Sequence, residues 1–328
     1  MSYLLRKLVI LVFTLWMAAT LNFVLPRLVP GDPVSVMLAK YQGRLDPSAV
    51  DALKIAYGLN DLGSPVAQYF SYLGQLLRGD FGRSISLFPT PVADVIGQAL
   101  PYTLGLVGIT TILSFLLGSA LGLYSGWRRG RPVADGLTPV ALFLNSMPYF
   151  WFALLMLYIF AFKLRWFPLG GALDPFPGPN FSSGWWSSLL RHAVLPMFTI
   201  LVTSVGGWLL TMRNNVVSVT SEDYLAFARA KGLTERRILS RYVLRNALLP
   251  SFTSFGMALG FVVGGSILTE IVFSYPGLGF YLYQAVVGLD YPLMQALFFI
   301  IALTVLAANF AVDLLNVLLD PRIREGRT

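Results

Sequence analysis

The sequence predicts an all-α polytopic membrane protein with about six transmembrane helices. Three observations predict it. Hydrophobic residues make up 56% of the 328 and charged residues only 12%, far from the balance of a soluble domain. Apolar runs long enough to cross a bilayer alternate with segments rich in Gly, Pro and charge. Basic residues then concentrate in alternate connections, as the positive-inside rule requires of a chain with both termini in the cytoplasm. The composition also excludes much. There is no Cys and a single His, so a disulfide framework, thiol chemistry and a His-built metal cluster are out of reach. The net charge of +8 suits an anionic inner leaflet, and no nucleic-acid-reading motif accompanies it.

Residues 1–33 hold the cytoplasmic N-terminus and the first span. Its apolar run, Leu8–Leu25, follows Arg6 and Lys7. Pro26–Pro33 stands where a signal peptide would carry a small-residue cleavage site, so the run is read as a retained helix that PGDP ends. Residues 34–98 are the least hydrophobic. Short helices are expected over Ser48–Tyr57, opened by Asp46-Pro47, and over Val66–Leu77. Ile55, Tyr69, Phe70, Leu73, Leu76 and Leu77 need burial, which makes this region a small extracytoplasmic helical insertion. The glycines of GDFGRS (Gly79–Ser84) suit a tight turn at the membrane surface.

The transmembrane core is assigned to residues 99–320. Its first span covers Tyr102–Tyr124 and ends in Trp127, Arg128, Arg129 and Arg131. Gly118, Gly122 and Gly126 repeat every fourth residue there, a small-residue stripe that admits a close helix neighbour. The next span, Ala134–Phe160, is interrupted by Asn145, Ser146 and Pro148. That pattern fits either a kinked helix lining a path or simple packing relief. Residues 163–188, with Trp166, Phe176, Phe181, Trp185 and Trp186, read as an outer interfacial segment. His192, which opens the span Ala193–Met212, reads as a satisfied interfacial residue. A second stripe, Gly256, Gly260 and Gly264, lies in Phe252–Phe273, with Glu270 near the outer end. The last span, Leu293–Leu319, places Asn309 and Asp313 four apart on one face, a possible intramembrane polar pair. Structural pairing is preferred there to ion coupling. A cytoplasmic tail, 321–328, follows.

Does the charge close on six spans? Arg6, Lys7, Arg128, Arg129, Arg131, Arg213, the arginines and Lys231 of 222–250, and the arginines of the tail fall inside. The outer basic residues are offset by an equal number of acids. The whole excess is therefore cytoplasmic.

Residues 213–250 form the longest basic, helix-compatible segment between two spans. Gly232 divides it into two short helices. Glu222 or Asp223 is placed to cap the first and Thr234 the second. Ile238, Tyr242 and Leu249 can share one face of the second while the arginines point elsewhere. Such a hairpin presents a surface to something outside the membrane.

YLAFARAKGL followed by RNALLP resembles the coupling loop of permease subunits of binding-protein-dependent ABC importers, in particular the dipeptide/oligopeptide branch. The match puts Ala226, Ala228 and Gly232 on the motif, with Leu249 and Pro250 at its distal end; Tyr224, Arg229 and Lys231 belong to the same coupling loop, the last two at its rim. Ala226 stands where the general motif has Glu, and Leu249-Pro250 lies further from Gly232 than the general spacing. RLVPGDP, GDFGRS, the Pro276–Gly279 turn with the short helix after it, and Asp290-Tyr291-Pro292 extend the resemblance over almost the whole chain. It implies an ABC type I importer permease fold, with small Ala226 and Ala228 on a tight docking face. It also implies a second homologous permease subunit, giving a heterodimer. Two cytosolic ABC ATPase subunits, an extracytoplasmic substrate-binding protein and surrounding lipid complete the complex in a bacterial or archaeal plasma membrane.

No Gly-Lys-Ser/Thr phosphate loop is present, GSALG included, so ATP and Mg2+ are expected on the partner ATPases and no cofactor on this chain. The chain is expected to be no enzyme itself, since its spans carry no nucleophile–base or metal constellation. Its cargo is expected to be peptide, with oligosaccharides or metal complexes as the alternative for the same architecture. An ion-coupled secondary transporter or channel using Asp313 or Glu270 is a different class; it would favour inverted repeats, and none is visible.

Overall fold

The computed structural model describes residues 3–28, 64–176, 178–264 and 267–319. The expected helix Ser48–Tyr57, the PGDP turn, Gly265, the Asp313 side chain and the tail 321–328 lie outside the described residues.

All named elements are helical. α1 (Tyr3–Leu28) contains the first apolar run. α2 (Pro65–Arg78) opens on Ser64, whose hydroxyl accepts from Ala67 N, with proline in its first turn. It closes on Gly79 at φ 70°, a left-handed cap that only glycine adopts freely. α2 buries no residue fully. Tyr69, Leu73 and Leu76 are half-buried, but Phe70 is 66% and Leu77 89% exposed, so the expected burial of those two does not occur.

α3 (Val92–Trp127) is longer than the span read from hydropathy, because its outer turns pack Val92, Val95, Ile96 and Ala99 into a buried cluster. Pro101 lies inside it and lacks an N–H; a π-helical stretch, Leu104–Gly108, follows. α4 (Pro132–Ser146) and α5 (Tyr149–Lys163) replace the expected single kinked helix, and they meet at 90°. Pro148 forces Met147 into extended backbone, φ −73° and ψ 128°, which stops α4 outright.

α6 (Ser183–Thr220) runs 38 residues without a break. It takes in Trp185 and Trp186, assigned above to an outer interfacial segment ahead of the span, because Ser182 caps it through a hydrogen bond from Trp185 N. α7 (Asp223–Ala230) follows at once. α8, residues 235–261, begins in the basic segment and continues straight into the next span, with a π-helical turn Leu239–Val243. Pro250 is therefore inside a helix and ends nothing. A 3-10 turn, Val262–Gly264, follows, then α9 (Ile267–Val272), α10 (Leu278–Val287) and α11 (Tyr291–Leu319).

Among the described residues, five helices are long and apolar enough to cross a membrane, or six if the bent α4–α5 pair is one crossing. Their apolar faces converge on three clusters. One joins the start of α3 to α10 and the start of α11, around Val92, Leu278 and Leu297. A second joins α3, α5 and α6 with Phe273 and Tyr275. The third lies at the other end of α6, where α7 and α8 pack on it.

Candidate functional site

The segment around Gly232 forms a compact corner on the end of α6. In α7, Leu225 and Ala228 are buried against Met212 and Val216 of α6 and against Ile238, Val243 and Ala247 of α8. Spacing of three residues puts both on one face. The opposite face carries Ala226 and Phe227, and Tyr224 lies on the flank toward α8; all three are exposed. Ala228 is thus small because its own core is tight, and it is not on the outward face where the motif was expected to put it. Glu222 and Thr234 hold the N-cap positions of α7 and α8, yet neither side chain makes a capping hydrogen bond.

Gly232 sits at φ 73° with nothing within 4 Å of where a Cβ would be. Its requirement is conformational: Gly232 N bonds Arg229 O at 2.9 Å and Leu233 N bonds Ala228 O at 3.3 Å, closing the helix with a left-handed residue. Around this turn the polar atoms are paired locally. Arg229 meets Glu235 at 3.3 Å, and Lys231 Nζ lies 4.5 Å above the Phe227 ring. Asn246 Nδ2 donates to Tyr224 Oη at 3.1 Å. Arg236, Arg237, Arg241 and Arg245 are all exposed. Ile238 is buried and Tyr242 half-buried, but Leu249 is 54% exposed, because the π-helical turn rotates the helix beyond it off their common face. A cavity of about 610 Å³ opens between Trp127–Arg129 and the Arg229–Glu235 pair.

The first glycine stripe lies directly against α6. A Cβ on Gly118 would meet Trp208 Cβ at 2.5 Å, one on Gly122 would meet Met212 Cβ at 2.8 Å, and one on Gly126 would meet Val216 Cβ at 2.8 Å. Of the second stripe, Gly260 abuts Ala308 of α11, Gly264 has ordinary contact with Ile301 at 3.5 Å, and Gly256 is half-buried. Asn309 is half-buried.

Several site residues escaped the sequence reading. Gly206 of α6 presses on Ala141 O of α4, where a Cβ would come within 2.5 Å. At the far end of the bundle, Asp290 is fully buried. Its Oδ1 accepts from Leu293 N at 3.2 Å, capping α11, and its Oδ2 accepts from Ser86 N at 2.9 Å and from the hydroxyls of Ser84 and Ser86. Asp-x-Pro is a helix-start signature that could have flagged it. His192 Nδ1 bonds Ser188 O at 2.8 Å, a satisfied interfacial residue. Glu270 is fully buried.

A bundle of long apolar helices with a short helix and glycine turn packed across one end is the architecture of a polytopic membrane protein. Residues 118–325 match the family described as "Binding-protein-dependent transport system inner membrane component", and the chain belongs to that family. It is 33% identical over 322 residues to the oligopeptide transport system permease protein AppB of Bacillus subtilis (strain 168), covering 98% of this chain and 99% of that one. It is 33% identical over 341 residues to the di/tripeptide transport system permease protein DppB of Pseudomonas aeruginosa (strain UCBPP-PA14), covering the whole of both. The inward-facing MetNI methionine ABC transporter shares the fold, with a TM-score of 0.51 at 19% identity over 67% of this chain and 94% of that one. The protein is thus a polytopic permease subunit of an ABC importer, a transport component and not the ATP-hydrolysing chain. Family membership sets aside the secondary-transporter and channel reading.

Proposed function

We propose that this chain forms half of a translocation path for peptides, handed over by an extracytoplasmic binding protein and driven by two cytosolic ATPases that carry the ATP and Mg2+. A second, homologous permease supplies the other half, and both termini lie in the cytoplasm of a bacterial or archaeal cell. The cargo class is supported by the relatives, whose names specify oligopeptides and di/tripeptides over the full length of the chain. The observation that carries the coupling role is the corner at Gly232. α7 buries one face on α6 and α8 and leaves Tyr224, Ala226 and Phe227 exposed beside a basic rim. An exposed aromatic pair ringed by charge is the composition of an interface core with a polar rim. Arg229 and Lys231 are spoken for locally, so fit at the aromatic pair dominates over single charges.

The test uses the complete importer in proteoliposomes. Gly232→Val places a β-branched residue at φ 73°, at a cost of about 1–2 kcal/mol, and distorts the corner. The ratio of binding-protein-stimulated to basal ATP hydrolysis should fall by roughly fivefold, with peptide uptake falling alongside it. Full stimulation and uptake in this variant would remove the coupling role from α7.

A further inference from the structure

Glu270 and Thr103 stand far apart in sequence and are both fully buried. Thr103 Oγ1 donates to Glu270 Oε1 at 2.9 Å, and the same hydroxyl oxygen accepts from Leu278 N at 2.8 Å. Glu270 Oε2 accepts from Gly279 N at 2.8 Å and from Phe280 N at 3.2 Å. The carboxylate thus serves the first N–H groups of α10, where a negative charge is favoured. It makes no ion pair among the described residues.

The backbone is built around this knot. A Cβ on Gly277 would come within 2.5 Å of Thr103 Oγ1, and one on Gly279 within 2.7 Å of Ile267 Cα. Both glycines are there for close approach. Three elements, α3, α9 and α10, meet at two side chains. To pull α10 from α3 would take the Thr103 hydroxyl from the buried Glu270 carboxylate and leave the Leu278 N–H without its partner.

We propose that Thr103 and Glu270 are positioning residues for transport, fastening the outer short helix α10 to α3 so that the two travel as one body when the permease alternates between its inward- and outward-open states. This rests on the importer function proposed above. Glu270 is then no ion carrier. It is the fixed point of the outer face.

Thr103→Val removes the hydroxyl and keeps the shape; Thr103→Ser restores the hydroxyl. In the assembled importer, Thr103→Val should raise amide hydrogen exchange across residues 278–287 by about tenfold, with residues 244–261 unchanged. It should also lower the ratio of stimulated to basal ATP hydrolysis by roughly threefold. Thr103→Ser should stay within about twofold of wild type on both measures. A purely architectural role would reduce the amount of complex recovered and leave the ratio unaltered in the complex that forms. Unchanged exchange, an unchanged ratio, or a serine variant as impaired as the valine one overturns the proposal.

Wild-type protein supplies an arm that depends on no variant. Exchange over 278–287 should stay protected both without nucleotide and with ATP and vanadate. Loss of protection in either state shows that the tie opens, which overturns travel as one body. If no loaded binding protein stimulates the wild-type ATPase, the importer reading fails, while the exchange comparison of Thr103→Val with Thr103→Ser still decides the tie.

Discussion

Gly122 illustrates how little room a single residue can leave. Its Cα faces the backbone of Leu209 and the Cβ of Met212, so any side chain must push α3 and α6 apart. Gly122→Leu should destabilise the bundle by about 1–3 kcal/mol, the usual cost of overpacking. Ala120→Leu, on the exposed side of the same helix, should be neutral. Thermal midpoints of the two purified variants decide it; equal midpoints would make the stripe incidental. The position was legible because a four-residue repeat of glycine marks one face whatever packs there. Its partner was not legible, since nothing in Gly118–Gly126 says which helix comes close. Gly206 escaped because a lone Gly-Gly pair forms no stripe. Thr103, and its bond to Glu270, escaped for a plainer reason: side chains 167 positions apart in the chain meet only after folding.

At the scale of elements, helix starts and stops were more legible than helix lengths. Proline and glycine act within two or three residues, so the end of α4 at Pro148 and the turn at Gly232 could be placed from local chemistry. Length depends on what the helix packs against. α6 extends beyond its apolar run at both ends because Ser182 caps one end and the α7–α8 corner supports the other. The same dependence explains α8, which crosses Pro250 without stopping. Asp290 makes an element-scale prediction. It caps α11 and holds Ser84, the last residue of the Gly79–Ser84 turn, and Ser86 against it. Asp290→Ala leaves these donors unpaired in a buried place and should cost about 2–4 kcal/mol. Limited proteolysis between residues 79 and 91 should accelerate, while cleavage near α7 should not. Equal rates at both places would show that the cap is dispensable.

For the whole molecule, the charge distribution sets an orientation that can be measured directly. The chain has no Cys, and Ser64 and Ser240 are both exposed. A cysteine at Ser64 should react with an impermeant thiol reagent in wall-stripped cells, and one at Ser240 only after the membrane is opened. The reverse pattern would invert the topology. The long helix α6 has a consequence for how this molecule carries force. At 1.5 Å per residue its 38 residues reach roughly 57 Å, nearly twice the hydrocarbon thickness of about 30 Å. Along that length Pro196 and the Gly206-Gly207 pair are the places where it can bend. The stretch beyond them, from Trp208 to Val216, is locked to α3 at Gly118, Gly122 and Gly126, so a displacement that reaches it from the Thr220 end is handed to α3 before it meets either hinge.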